Sequence, residues 1–149
     1  MFIGIWEERR KDLSHIHKKP LLEEEKSMKL KDVNECLSQV KKDVGDALIC
    51  TTISNIKNGV TIGKIDCDDK LGACASQVVT FLREVIDSAE NVSLGRYLFA
   101  VLNKTCAALF VIIGDYVWTI AFNPEKMPMG MIMNVYLDDY VQMFEYAAA

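Results

Sequence analysis

The chain has 149 residues, half of them hydrophobic and 26% charged, which suits a single domain with a packed core and excludes wholesale disorder. The formal net charge of −4 is unevenly spread: residues 1–42 hold 10 of the 17 Lys and Arg and 8 of the 21 Asp and Glu, a balance of +2, while residues 43–149 carry −6. An acidic body argues against a nucleic-acid partner, whose phosphate backbone needs clustered Lys and Arg. Uncharged runs at 105–114 and 127–137 fall well short of the 18 or more apolar residues of a membrane-spanning helix.

Residues 1–30 read as an N-terminal extension with a short helix near 21–30. They hold both histidines, His15 and His17, together with Pro20 and an acidic run at 23–25. The opening Met-Phe-Ile-Gly-Ile-Trp runs directly into Glu7-Glu8-Arg9-Arg10, with no basic n-region and no long apolar stretch, so a secretory signal is not expected. From Asp32 the local signals agree. Asp32 and Glu35 form a capping-box pattern. Val33, Cys36, Leu37, Val40 and Val44 follow at helical spacing, and Gly45 stops the helix.

An apolar, β-branched stretch at 47–53 predicts a strand, Asn58-Gly59 a tight hairpin, and 60–65 its return. The acidic link Asp66-Cys67-Asp68-Asp69 suits the N-terminus of a following helix. That helix, predicted over 71–92, has the cleanest pattern in the chain. At about 100° per residue, its apolar side chains from Leu71 to Val92 fall within an arc of roughly 160°. Covering a sheet needs little more than about 100°. The surplus flank, around Cys74, Phe81, Val85 and Val92, requires another surface to touch. Three strands follow, at 96–102, 106–113 and 116–122, joined at Asn103-Lys104-Thr105 and Gly114-Asp115. Pro124 cannot continue a central strand. A last helix spans 129–145.

The order is helix, two strands, helix, three strands, helix, with every hairpin antiparallel. This predicts an α+β three-layer sandwich: a five-stranded antiparallel sheet with helices on both faces.

Motifs for chemistry are scarce. There is no phosphate-cradling Gly-x-x-x-x-Gly-Lys-Ser/Thr and no Gly-x-Gly-x-x-Gly. Residues 31–149 contain no histidine, so neither a Ser–His nor a Cys–His pair can form within the domain. His15-x-His17 lacks the further ligands of a tetrahedral metal site. Asp66, Asp68 and Asp69 lack the glycine and distal glutamate of a calcium loop. Asp138-Asp139 are expected on the exposed side of the last helix. No catalytic residue, cofactor or metal is expected. The five cysteines (Cys36, Cys50, Cys67, Cys74 and Cys106) are odd in number and include no Cys-x-x-Cys, which points to a reducing, cytoplasmic compartment. The clustered methionines, Met129 and Met131 among them, and the N-terminal Ile3, Ile5 and Trp6 are a second candidate contact, since flexible thioethers suit adaptable surfaces.

Residues 31–146 resemble the roadblock (dynein light-chain) domain, the group that includes the bacterial gliding-polarity regulator and has a profilin-like layer order. The resemblance rests on several features. Gly45-Asp46-Ala47-Leu48-Ile49-Cys50 enters the first strand. A glycine-containing hairpin follows, then the long helix with Ala73, Ala75 and Ala89, a three-strand meander, and a last helix rich in Leu and Tyr. The second strand departs from the family pattern by carrying Gly63-Lys64. Such a resemblance implies a dimer, with itself or with a related roadblock chain. In that dimer the long helices pack together and edge strands join through Cys74, Val78, Phe81, Leu82, Val85, Val92, Tyr97 and Phe99. It further implies a non-enzymatic scaffold that binds and regulates a Ras-like small GTPase. The alternatives are a light-chain-type subunit of a motor or signalling complex, and a profilin-like small-molecule sensor or longin-type trafficking domain.

Overall fold

The computed structural model describes residues 28–149. The expectations for Ile3, Ile5, Trp6, His15, His17 and the start of the helix near residue 21 lie outside the described residues.

Helix α1 is Leu30–Val44, and Val33, Cys36, Leu37, Val40 and Val44 are all buried, as their spacing predicts. It begins two residues before Asp32, and the Asp32–Glu35 capping box does not form. The Val33 amide already closes the first turn on the Lys29 carbonyl at 3.1 Å, and Lys29 occupies the cap position without a side-chain bond. Asp32 lies instead in the first turn, where its charge complements the helix dipole. Gly45 caps the other end, and a 3₁₀ turn, Gly45–Ala47, leads into β1, Leu48–Asn55.

Strand β2 is Thr61–Ile65, and five residues separate it from β1, where a two-residue turn at Asn58-Gly59 was expected. Asn55 explains the longer loop. Its Oδ1 accepts from the Lys57 amide at 2.9 Å and Asn58 Oδ1 accepts from the Val60 amide at 2.8 Å, alongside the backbone bonds from the Asn55 amide to the Val60 carbonyl at 2.9 Å and from the Gly59 amide to the Asn55 carbonyl at 2.8 Å, so side-chain and backbone bonds together close the longer loop. Within that loop only Gly59 takes a positive φ.

Helix α2, Asp69–Asp87, is capped by Asp68, whose carboxylate accepts from the Leu71 amide at 3.1 Å. The helix ends five residues short of the predicted 92, and Asn91 beyond it adopts a φ of 64° that no helix continues. Strands β3 (Tyr97–Asn103), β4 (Cys106–Ile113) and β5 (Tyr116–Phe122) form the predicted meander. Helix α3 runs in three consecutive pieces: Met129–Met131, a π-helical stretch Ile132–Tyr136, and Leu137–Ala148.

The sheet order is β2-β1-β5-β4-β3, every pair antiparallel, which leaves β2 and β3 as edges. Helices α1 and α3 cover one face and α2 the other. The predicted three-layer α+β sandwich is the observed architecture.

The α1/α3 side holds most of the core. Trp118 packs against Tyr140 and Phe144, with ring centroids 5.4 and 5.6 Å away. Its indole donates to Thr51 Oγ1 at 2.8 Å, and Thr51 in turn donates to the Thr119 carbonyl at 2.9 Å, so the buried polar atoms form a closed chain. The Tyr140 hydroxyl donates to Asp43 at 2.9 Å. Burial first, and then this bond, hold the phenol above its ordinary range. Gly63, the departure from the family pattern, has a packing reason: a Cβ there would lie 2.7 Å from Val33 and 2.9 Å from Leu37, so its absence lets α1 rest on β2.

Candidate interaction surface

Alternation along α2 and β3, set by the register just described, decides what the second face of the sheet exposes. Helix α2 does not centre its apolar arc on the sheet. Its buried residues are Gly72, Ala75, Ser76 and Val79, so the contact is shifted toward small and polar positions outside the predicted arc. A Cβ on Gly72 would approach Thr61 Oγ1 to 2.8 Å, and Ser76 donates to the Gly72 carbonyl at 2.9 Å. Small side chains bring helix and sheet backbones close together. The larger apolar residues are thereby rotated outward.

The consequence is an uncovered flank. Cys74, Val78, Phe81 and Val85, spaced by fours and threes along one helix side, are all exposed, Phe81 by 64% and Val85 by 49%. Leu82 is half-buried. Val92 is also exposed, but beyond the end of the helix and so outside the stripe that the wheel gave it. The other side of α2 meets the β1–β2 loop across a groove of about 450 Å³. Ile56, Gly59, Ser76, Thr80, Phe81 and Glu84 are among its lining residues. The Lys57–Asp115 ion pair, at 3.4 Å, holds that loop to the β4–β5 turn.

Edge strand β3 continues the apolar surface. Its residues alternate between faces: Tyr97, Phe99 and Val101 pair with Val111, Leu109 and Ala107 on the α1/α3 side, and Leu98 and Ala100 pair with Phe110 and Ala108 on the α2 side. Tyr97 is exposed and Phe99 half-buried, in edge-to-face contact at 6.3 Å. Val101 and Leu102 are 64% and 66% exposed. The Ile112 amide donates to the Arg96 carbonyl, which makes 96/112, 98/110 and 100/108 the hydrogen-bonded pairs of the ladder. The amides of Tyr97, Phe99 and Val101 therefore point away from β4, toward the open edge.

The sequence reading placed Tyr97 and Phe99 in one interface with the α2 flank. They share the edge with it, but their side chains turn to the opposite face. Leu98 and Ala100, which lie on the flank's own side, were missed, although strict alternation read from the Gly114-Asp115 turn identifies them. In the second candidate contact, Met129 is half-buried against the core and Met131 is exposed. The acidic residues behave as solvent-side groups: Asp68 caps α2, Asp69 pairs with Lys64 at 3.0 Å, and Asp138 and Asp139 are exposed. Among the described residues, no cluster of three or more His, Cys, Asp and Glu is placed to hold a metal ion, and no helix is long and apolar enough to cross a membrane.

With this geometry in place, the likeness to solved structures defines the class of fold. The chain superposes on Myxococcus xanthus MglB with a TM-score of 0.67 at 13% identity, covering 79% of this chain and 88% of that one. An MglB with a tetrameric arrangement gives 0.63 at 10% identity, covering 79% and 88%. A Roadblock/LC7 domain from Streptomyces avermitilis gives 0.59 at 12% identity, covering 72% and 89%. No protein-family model matches the sequence, and no curated protein matches it. At these identities the likeness speaks for the fold: the described part of the chain is a roadblock-like domain.

Proposed function

We propose that this protein is a non-enzymatic, dimeric scaffold of the cytoplasm that binds and regulates a Ras-like small GTPase. The observation that carries the dimer is the exposed apolar flank of α2, Cys74, Val78, Phe81 and Val85, on the same side of the sheet as Leu98 and Ala100 of the open edge strand. An apolar edge with free backbone donors is an aggregation hazard unless it is paired. Two-fold pairing of a surface with a copy of itself covers flank and edge at once. The tetrameric arrangement of a solved MglB supports self-association in this fold.

The GTPase partner rests on the roadblock resemblance, an argument by analogy. A scaffold without a catalytic side chain of its own acts by ordering the mobile loops of the GTPase.

Two measurements test the reading. Light scattering should give twice the single-chain mass, and Phe81→Asp should halve it, because a carboxylate in that seam would be buried without a partner. A single-chain mass at every concentration overturns the dimer. Tagged protein, mixed with each Ras-like GTPase of the source genome, should retain one of them in a nucleotide-dependent manner. Equal retention with GDP and GTP analogues, or none, overturns GTPase regulation. Constitutive capture of a large complex would favour a light-chain-type subunit.

A further inference from the structure

The described chain begins at the end of the sheet where the β1–β2 loop and α2 enclose their groove. Helix α1 leads through Gly45–Ala47 into β1, and the Asn123 amide ties that turn to the Phe122 end of β5 by donating to the Ala47 carbonyl at 2.8 Å. The helix packs along β1 and β2, with Val33 and Leu37 over Gly63. Its 15 residues, at about 1.5 Å each, run nearly the length of β1. The start of α1 therefore lies at the opposite end, the end of Asn55 and Val60. Met28 is buried there against the α1/α3 core, while Leu30 and Val60 are exposed. Val60 adjoins Gly59, which lines the groove of about 450 Å³ on the α2 side. Ile56, Ala73 and Phe81 give that groove an apolar lining, and Phe81 is 64% exposed. Gln77, Thr80 and Glu84 add hydrogen-bond acceptors to it.

We propose that the apolar segment Phe2-Ile3-Gly4-Ile5-Trp6 of this same chain docks in that groove, with the Trp6 ring against Phe81. Composition selects the segment: within residues 1–27, the first six are the longest run without a charge. Reach permits the docking. Residues 7–27 lie between Trp6 and Met28 and span up to about 70 Å when extended, several times the thickness of a sheet layer. The starting point favours it, because a chain leaving Met28 meets exposed Leu30 and Val60 before it reaches Gly59 and the groove. Chemistry matches the occupant. An indole is a large apolar ring with one N–H donor, and a buried indole needs both an apolar wall and an acceptor. Phe81 and Ile56 offer the first, and Gln77, Thr80 and Glu84 the second. The groove volume lies in the range of about 300–1,000 Å³ that accommodates a bound group of several side chains' size. The inference does not rest on the dimer or GTPase reading: Cys74, Val78 and Val85 of the flank do not line the groove, and only Phe81 borders both.

Tryptophan fluorescence of the full-length chain tests this directly, because Trp6 and Trp118 are its two tryptophans and Trp118 is fully enclosed. Acrylamide quenching is measured on the wild type and on Trp6→Phe, and the difference isolates Trp6. The expected Trp6 emission is blue-shifted and quenched several-fold less than N-acetyltryptophanamide. Phe81→Ala should return Trp6 to free quenching and red-shift it, while the Trp118 component stays protected and so checks the fold in the same measurement. Val85→Ser, on the flank but outside the groove, should leave Trp6 protected, as should dilution to single-chain mass by light scattering. Trp6 quenched as freely as N-acetyltryptophanamide in the wild type overturns the proposal. Protection that persists in Phe81→Ala overturns the groove as its seat. Protection lost on dilution or in Val85→Ser overturns docking within one chain, since a second copy would then be what covers Trp6.

Discussion

On the α1/α3 face of the sheet the large side chains of the central strands are fully enclosed: Ile53, Leu109, Val111, Trp118 and Ile120 are all buried, with Tyr140 and Phe144 above them. On the α2 face the enclosed set is small: Ile56, Ala75, Val79, Ile112 and Val117, with Leu94 and Phe110 at its margin. The first face is a finished core. The second is thin because α2 docks through glycine, alanine and serine, and its bulky residues point outward. The difference separates a face that is complete within one chain from a face that leaves large apolar side chains exposed.

Substitutions on the two faces should therefore report different properties. Phe144→Ala, on the closed face, is expected to cost about 3–5 kcal/mol, because its cavity has no solvent route to collapse. Chemical denaturation would show it as a lower midpoint. On the thin face, Gly72→Val is expected to cost about 1–3 kcal/mol through overpacking against Thr61 and Ser54, read as a lower Tm. A neutral result would mean that α2 is not closely docked.

Alkaline titration sharpens the contrast from the closed side. Burial pushes the Cys36 thiol from 9.0 to about 12, so the unfolded chain releases this proton first. Its contribution to stability is complete below pH 9 and is lost as the pH rises toward 12. Cys36→Ala should flatten the decline of stability across that window, measured by denaturant titration at stepped pH. Tyr140, raised by burial and by its bond to Asp43, adds a similar loss above pH 10. Tyr140→Phe should remove that component, at a cost of about 1 kcal/mol near neutrality. The smallest effect on folding belongs to the exposed flank. Val85→Ser should change single-chain stability by no more than about 0.5 kcal/mol, while weakening association in a dilution series.

Much of this division was legible in the sequence. The spacing of Val33, Cys36, Leu37, Val40 and Val44 marked α1 because an amphipathic helix writes its buried side every three or four residues. The β4–β5 hairpin was legible because Gly114-Asp115 fits a two-residue turn. The surplus apolar arc of α2 was visible too, yet the rotation of the helix about its axis was not. That rotation depends on how closely Gly72 can approach Thr61 and Ser54, a tertiary contact between residues distant in sequence. The early start of α1 escaped notice for a different, local reason: a backbone bond from Val33 to Lys29 did the work assigned to Asp32.

The central claim is that a second copy covers the α2 flank by pairing along β3. Amide hydrogen exchange along that strand tests it most directly, because Tyr97, Phe99 and Val101 point their amides to the open edge while Leu98 and Ala100 point theirs to β4. The account predicts slow exchange at Tyr97, Phe99 and Val101 in concentrated protein, accelerating on dilution, with Leu98 and Ala100 slow throughout. Fast exchange at the three outward amides at every concentration would contradict it.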